Sequence, residues 1–285
     1  MRAVGAIKAS ILRTVRRGAP VSWAPEWMGL GNLLYQGLWA YEGASLGEPR
    51  FVLLPENRVG VIELFPRLRE KRFLRRSDVP FTAQRVRPWE NEERSTGRFA
   101  PPLLEDFIRQ DLLPGSAVSP ATDSYDDAIV VNVRRGDYYS VDRHRAQFGM
   151  DQEKYLRSAL AEAVRTQGPV GRIVVISDGL DWCRDHVNDL LSEFAPVEYE
   201  DGDIAHDLKA IIHAKRLVIT NSTFSYWGGY IGDVLNPGRQ VIAPWFFSRT
   251  ENGGRSHLLA PSWTVIEGDF SAVREAAEER LPPIP

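Results

Sequence analysis

Two adjacent arginines just past an apolar run are the first residues in this chain that point to chemistry. They lie in Val133-Arg134-Arg135-Gly136-Asp137-Tyr138-Tyr139, after the β-branched run Ala128 to Val133. A guanidinium is a planar fork of donors that stays charged at any working pH and matches phosphate oxygens in pairs. Twin forks fit a diphosphate. The other reading is an internal ion pair between one arginine and Asp137, with the second arginine solvated. A hydroxyl-rich turn, Thr220-Asn221-Ser222-Thr223-Phe224-Ser225, follows the run Leu217 to Ile219 and opens a predicted helix. Exposed N–H groups and hydroxyls at a helix N-terminus accept an anion, while a Ser or Thr that only caps the helix is the plainer alternative.

Three smaller groups accompany these. Ser177-Asp178-Gly179 ends the run Ile173 to Ile176 and reads as a capped turn or as part of a strand-end site. His206-Asp207 opens a predicted helix, where the carboxylate either caps the helix or accepts paired N–H donors from a guanine edge. Gly29-Leu30-Gly31-Asn32 is a Gly-x-Gly turn leading into a helix. It lacks the third glycine of the dinucleotide fingerprint, so no nicotinamide cofactor is expected. Asp201-Gly202-Asp203 has the Asp-x-Asp spacing of metal-dependent sugar transferases and also makes a good turn. No second carboxylate motif supports a metal, the five histidines show no ligand spacing, and one cysteine excludes thiolate-rich zinc sites.

The elements that must position these residues follow from periodicity. Strand-like runs at Ala128 to Val133, Ile173 to Ile176, near Val197, Leu217 to Thr220 and Gln240 to Ala243 alternate with helical stretches such as Asp151 to Thr166 and Asp181 to Phe194. Alternation of this kind implies a parallel sheet with crossover helices, and ligands of such sheets sit past the strand carboxyl ends. The residues singled out lie at those ends. From about Trp23 to Asp111 prolines at 49, 55, 66, 80, 88, 101 and 102 interrupt short apolar runs, so an irregular region with brief helices is expected. Pro114 to Ser124 reads as a linker. The expected organisation is an N-terminal domain over 1–120 and a Rossmann-like domain over 121–250. A C-terminal segment, 251–285, packs back on the first lobe.

Composition narrows the partners. With 35 basic and 38 acidic residues among 285, the net charge is −3, which excludes a bulk polyanion binder. Eight basic residues between Arg67 and Arg87 could attract phosphate or form a solvated face, but regular stacking aromatics are missing and nucleic acid is not expected. A single cysteine, Cys183, and the lack of any apolar run of roughly 20 residues suggest a cytoplasmic protein. The basic amphipathic stretch over the first 20 residues, with Arg2, Lys8, Arg13, Arg16 and Arg17, offers either a peripheral contact with an anionic membrane face or a solvated helix.

Taken in order, these motifs resemble the α-1,2-fucosyltransferase family of inverting transferases, with glycosyltransferase family 11 character. The resemblance runs from about Met28 to Phe247. It rests on Gly29 to Asn32, Asn132 to Tyr138, Ser177 to Cys183, Asp207-Leu208 with Asn221 to Gly229, and Ala243-Pro244-Trp245-Phe246. It implies an α/β fold of the two-lobe GT-B kind with a Rossmann-like C-terminal donor domain. It further implies GDP-fucose as donor, a galactose-containing glycan as acceptor, transfer to O-2 of a terminal galactose, and no metal or other cofactor. Carried over, Arg134 and Arg135 neutralise the diphosphate, Ser222, Thr223 and Ser225 hold it, Asp207 reads guanine, and Asn32, Asn132, Ser177, Asp178 and Asn221 complete the donor site. Arg134, Asp137 and His144 are the catalytic candidates, Asp137 first for the acceptor's proton. Asn132 stands where the family has histidine, Gly179 where it has a carboxylate. Those departures keep open a non-catalytic nucleotide-sugar or glycan binder of the same fold, as Asp201 and Asp203 keep open a metal-dependent transferase.

Overall fold

The computed structural model describes residues 15–87, 100–122 and 124–271. Most of the basic N-terminal stretch lies outside them, as do residues 272–285 of the expected C-terminal segment. The chain forms two compact units. One comprises Met1–Asp126, Gly202–Ala214 and Ser222–Arg239, the other Asp127–Asp201, Lys215–Asn221 and Gln240–Pro285. Among the described residues, no helix is long and apolar enough to cross a membrane.

The first unit holds strand β1 (Pro20–Trp23), helix α1 (Leu30–Ser45), β2 (Phe51–Leu53), α2 (Pro66–Arg72), β3 (Phe73–Leu74), β4 (Gln84–Val86) and α3 (Pro101–Phe107). Its strands pair in parallel in the order β3-β2-β1-β4. The expectation of only brief helices here is corrected by the 16 residues of α1. No proline falls between Pro25 and Pro49, so nothing interrupts that helix. Pro66 and Pro101 begin α2 and α3, where a missing N–H costs nothing.

The second unit holds β5 (Ala128–Val133), α4 (Gly136–Ser140), α5 (Asp142–Phe148), α6 (Gln152–Gln167), β6 (Arg172–Ser177), α7 (Leu180–His186), α8 (Asn188–Ser192) and β7 (Val197–Glu200). After these the chain gives α9 (Ile204–His213) and α10 (Thr223–Leu235) to the first unit and β8 (Arg216–Ile219), β9 (Gln240–Pro244) and β10 (Thr264–Ile266) to the second. The resulting parallel sheet has the order β10-β9-β8-β5-β6-β7. Counted from β5 this is 3-2-1-4-5-6, the doubly wound order of a Rossmann sheet, whose direction reverses between β5 and β8. The chain is thus α/β, with a parallel sheet in each unit, as the alternating pattern implies. Both faces are covered, so every residue of β5 is buried, and Ile129, Val131, Leu156, Leu160, Ile173 and Val175 form the centre of the core.

The described part of 251–285 does not stand apart: β10 pairs in parallel with β9 and extends the second sheet. In the first unit α9 and α10 are held by Arg239, whose side chain is 2% exposed. Its guanidinium donates to the carbonyls of Ile211, Ile212, Ala214, Gly228 and Gly229 and pairs with Asp233 at 2.9 Å.

Candidate functional site

The strand reversal lies between the carboxyl ends of β5 and β8, and the sequence puts Arg134 past one and Thr220 past the other. A hydrogen bond joins them: Arg134 N donates to Thr220 Oγ1 at 2.9 Å, and that hydroxyl donates to the Asn132 carbonyl at 3.3 Å. The threonine thereby fixes the backbone from which the arginine side chain departs.

Two carboxylates orient that side chain. Arg134 pairs with Asp137 Oδ1 through Nη2 and lies 2.6 Å from Asp178 Oδ2 through Nη1. Burial alone would lower its pKa, but the charges of Asp178 and then Asp137 outweigh burial and raise it above the ordinary value. Asp178 also accepts from Arg135 N at 2.6 Å. Gly136 (φ +30) permits this, because a Cβ there would run into the Asp178 carboxylate. The side chain of Arg134 is 34% exposed, so it stays within reach of a ligand.

Arg135 behaves differently, and the expectation of two forks on one diphosphate is corrected. Its guanidinium carbon lies 3.7 Å from the ring centroid of Tyr139 and 3.7 Å from that of Trp182. Nη1 donates to Gln152 Oε1 at 3.3 Å, and Gln152 Nε2 donates to the Arg134 carbonyl at 2.7 Å. Arg135 is therefore part of the wall that places Arg134. Tyr139 exchanges hydrogen bonds with the Met150 backbone at 3.0 and 3.2 Å, and burial pushes its hydroxyl up to about 12.

The other candidates in this unit divide by burial. Asp137 Oδ2 lies 3.1 Å from His144 Nδ1, off the line that a hydrogen bond needs, while His144 Nε2 accepts from Arg143 Nε at 3.2 Å. Asn132 is 6% exposed and donates to the Ile176 carbonyl at 3.1 Å, so its amide ties β5 to β6. Asn221 is fully buried and donates to the Phe148 and Phe247 carbonyls at 2.7 and 2.9 Å. Both are corrected from donor contacts to internal ties. Ser177 Oγ accepts from Gly179 N at 3.0 Å, which is the capped-turn reading. A Cβ on Gly179 would stand 2.7 Å from Arg135 Cβ, so a carboxylate here would displace that arginine from between its rings.

Asn32, Asp207, Ser222, Thr223 and Ser225 belong to the first unit. Gly31 brings two of their elements together: a Cβ on it would meet the Thr223 carbonyl carbon and the Phe224 nitrogen at 2.6 Å each. The first turn of α1 thus abuts the first turn of α10, beside Asn32. Ser222 is the N-cap of α10 and makes no side-chain capping bond, which leaves the first N–H groups of that helix without a cap from it. Ser225 is fully buried, so its expected contact with a ligand is corrected to an internal position. Asp203, not Asp207, caps α9 by accepting from His206 N at 2.8 Å. That role explains half of the Asp-x-Asp pattern. No group of three or more His, Cys, Asp or Glu residues fit to hold a metal occurs among the described residues.

The switch point falls in a region that matches the family described as "Glycosyl transferase family 11" over residues 105–246. The chain belongs to glycosyl transferase family 11. Relatives of this family 11 chain include the galactoside alpha-(1,2)-fucosyltransferase 1 of Rattus norvegicus, 26% identical over 181 residues that cover 60% of this chain and 46% of that protein. The protein of the same name from Aotus azarae is 28% identical over 184 residues, covering 61% and 49%. The chain spans less than half the length of these relatives. Among solved structures, POFUT1 in complex with GDP aligns with a TM-score of 0.34 and 16% identity over 82% of this chain and 77% of that one. A mutant of Arabidopsis thaliana FUT1 in complex with GDP aligns with 0.43 and 12% over 84% and 74%.

Within the family 11 region, four residues act in the site without having been given a role from the sequence. Thr220 was visible as the head of the hydroxyl-rich turn, and Tyr139 and Trp182 stand in the quoted motifs beside the arginines. Gln152 carries no such signal, since it lies 17 residues past Arg135 at the start of α6.

Proposed function

We propose that the chain is a glycosyltransferase that moves L-fucose from GDP-fucose to a hydroxyl of a glycan acceptor, O-2 of a terminal galactose, with inversion and without a metal ion. The observation that carries this reading is Arg134: a partly exposed guanidinium at the switch point of a doubly wound sheet, aimed by Asp137 and Asp178. The names of the family 11 relatives support fucose and galactose as the sugars.

In the reaction the bond from the fucose C1 to the β-phosphate oxygen breaks, and its electron pair stays on that oxygen. The acceptor oxygen bonds to C1 from the opposite face and gives up its proton. Negative charge grows on the leaving diphosphate, so a preorganised cation there lowers the barrier by electrostatics. Arg134 supplies that cation, and its remaining N–H groups meet phosphate oxygens. Asp137 shares the same guanidinium and so stands on the leaving-group side, whereas inversion places the base across the sugar. We therefore assign Asp137 to holding Arg134, with His144 beside it, and not to taking the acceptor's proton.

Replacing Arg134 with alanine tests the reading. Transfer from GDP-fucose to a galactoside, followed by GDP release, is expected to fall about 100- to 1000-fold, the usual effect of removing one preorganised donor, with circular dichroism unchanged. Unchanged turnover refutes the role. Transfer should also persist in excess chelator; its loss there would restore a metal-dependent mechanism.

A further inference from the structure

The basic run between Arg67 and Arg87, unused by the reaction proposed above, gathers part of its charge around one indole of the first unit. Trp23 ends β1, and its ring has the Arg85 guanidinium carbon 4.1 Å from its centroid and that of Arg76 at 5.2 Å. Arg85 lies on β4, paired with Val21 of β1, and Arg76 follows β3. Arg16 completes the group. Burial, then the like charges of Arg16 and Arg76, lower the pKa of Arg85, with no carboxylate among the causes. Arg76 and Arg85 are exposed, and both guanidiniums are held on the one indole.

Two further donors at this place have nothing to donate to: Nε of Arg16 and Nε1 of Trp23 are both buried without a hydrogen-bond partner. A buried N–H left unsatisfied is costly, and an indole N–H can only donate. The cluster therefore presents donors and positive charge alone, which is the complement of a multiply charged oxyanion.

We propose that Arg16, Trp23, Arg76 and Arg85 form an oxyanion site that takes a phosphate or sulfate group. The group is either a free anion or a substituent of the glycan acceptor; the second source rests on the transfer reaction proposed above.

Calorimetric titration of the full chain with inorganic phosphate and with sulfate, against chloride at equal ionic strength, tests the site. Saturable binding is expected, weakened about tenfold or more in Arg76→Gln and in Arg85→Gln, since each removes a charge-assisted contact. Trp23→Phe, which keeps the ring and removes the N–H, should weaken it as well. Arg134→Ala should bind the anion as the parent does, and Arg85→Gln should keep its GDP affinity, so the donor site and this site fail separately. A lower KM for phosphorylated or sulfated galactosides than for neutral ones, abolished in Arg85→Gln, assigns the group to the acceptor. Equal KM values with phosphate binding retained assign a free anion. No saturable binding above chloride, or binding unchanged in both arginine variants, overturns the proposal and returns the cluster to a solvated basic face.

Discussion

Replacing Arg135 with lysine separates two roles that adjacent arginines would otherwise share. The structure gives Arg135 two ring faces, each 3.7 Å from its guanidinium carbon, and a hydrogen bond to Gln152. A desolvated cation–π contact is worth roughly 1 to 2 kcal/mol, so the pair contributes about 2 to 4 kcal/mol. An ammonium keeps the charge but cannot lie flat between two rings, and the loss should come to about 2 kcal/mol. For a protein of this size that lowers Tm by roughly 4 to 8 °C. Scanning fluorimetry reads the first quantity and GDP titration the second. Arg135→Lys should lose stability and, through the slackened Gln152 tie on the Arg134 carbonyl, only part of its GDP affinity. Arg134→Lys should show the reverse, with a near-parental Tm and GDP affinity down about tenfold or more, because the fork and not the charge alone matches phosphate. If Arg135→Lys melts with the parent while losing as much GDP affinity as Arg134→Lys, the assignment of Arg135 to the wall is refuted.

Arg239→Met should prevent accumulation of folded protein or lower the urea midpoint sharply. It removes the ion pair to Asp233 and the donors to the carbonyls of Ile211, Ile212, Ala214, Gly228 and Gly229, and leaving buried carbonyls unsatisfied costs about 1 to 3 kcal/mol each; a midpoint within error of the parent contradicts this. Gly31→Ala forces α1 and α10 apart, since its Cβ would stand 2.6 Å from two backbone atoms. A loss of about 1 to 3 kcal/mol by chemical denaturation is expected. His213 is 5% exposed, with Nε2 2.8 Å from the Val118 carbonyl, and burial lowers its pKa from 6.5. Below pH 6.5 the unfolded chain takes up the proton before the folded one. Stability should therefore fall as pH drops below that value until the folded-state pKa is passed, and urea midpoints of His213→Gln should lack that segment of the pH dependence.

Much of the second unit was legible because its strands are long enough to declare themselves. The short β-branched runs Ala128 to Val133 and Ile173 to Ile176 read as strands covered on both faces, and the structure buries them so. The alternation of such runs with helices fixes a parallel sheet. The first unit was not legible, and the reason is physical. Its strands are two to four residues long, too short to show a period, and three of them are recognisable only through their pairing with β1 or β2. The 16 residues of α1 were masked by glycines and aromatics that pack on all sides of the helix. Asn132 and Asn221 were read as ligand contacts because polar residues at strand ends usually face solvent; here their amides satisfy backbone carbonyls inside the unit.

The pair Arg134-Arg135 shows where reading by residue type stops. Successive residues of an extended strand point to opposite sides, so two arginines adjacent at a strand end diverge unless the turn intervenes. The chain uses that divergence. One arginine goes to the crevice, where Asp137 and Asp178 aim it; the other goes to Tyr139 and Trp182, and through Gln152 it returns a bond to its neighbour's carbonyl. The glycine at 179 belongs to the same arrangement, since a side chain there would occupy the space of Arg135. A lone Gly179→Asp substitution in this chain should therefore push Arg135 out from between its rings and lower Tm as Arg135→Lys does. The double substitution should cost little more than either alone, because both remove the same stack. Additive losses in that cycle would mean that Gly179 and Arg135 act independently, and that the wall behind Arg134 is built by something else.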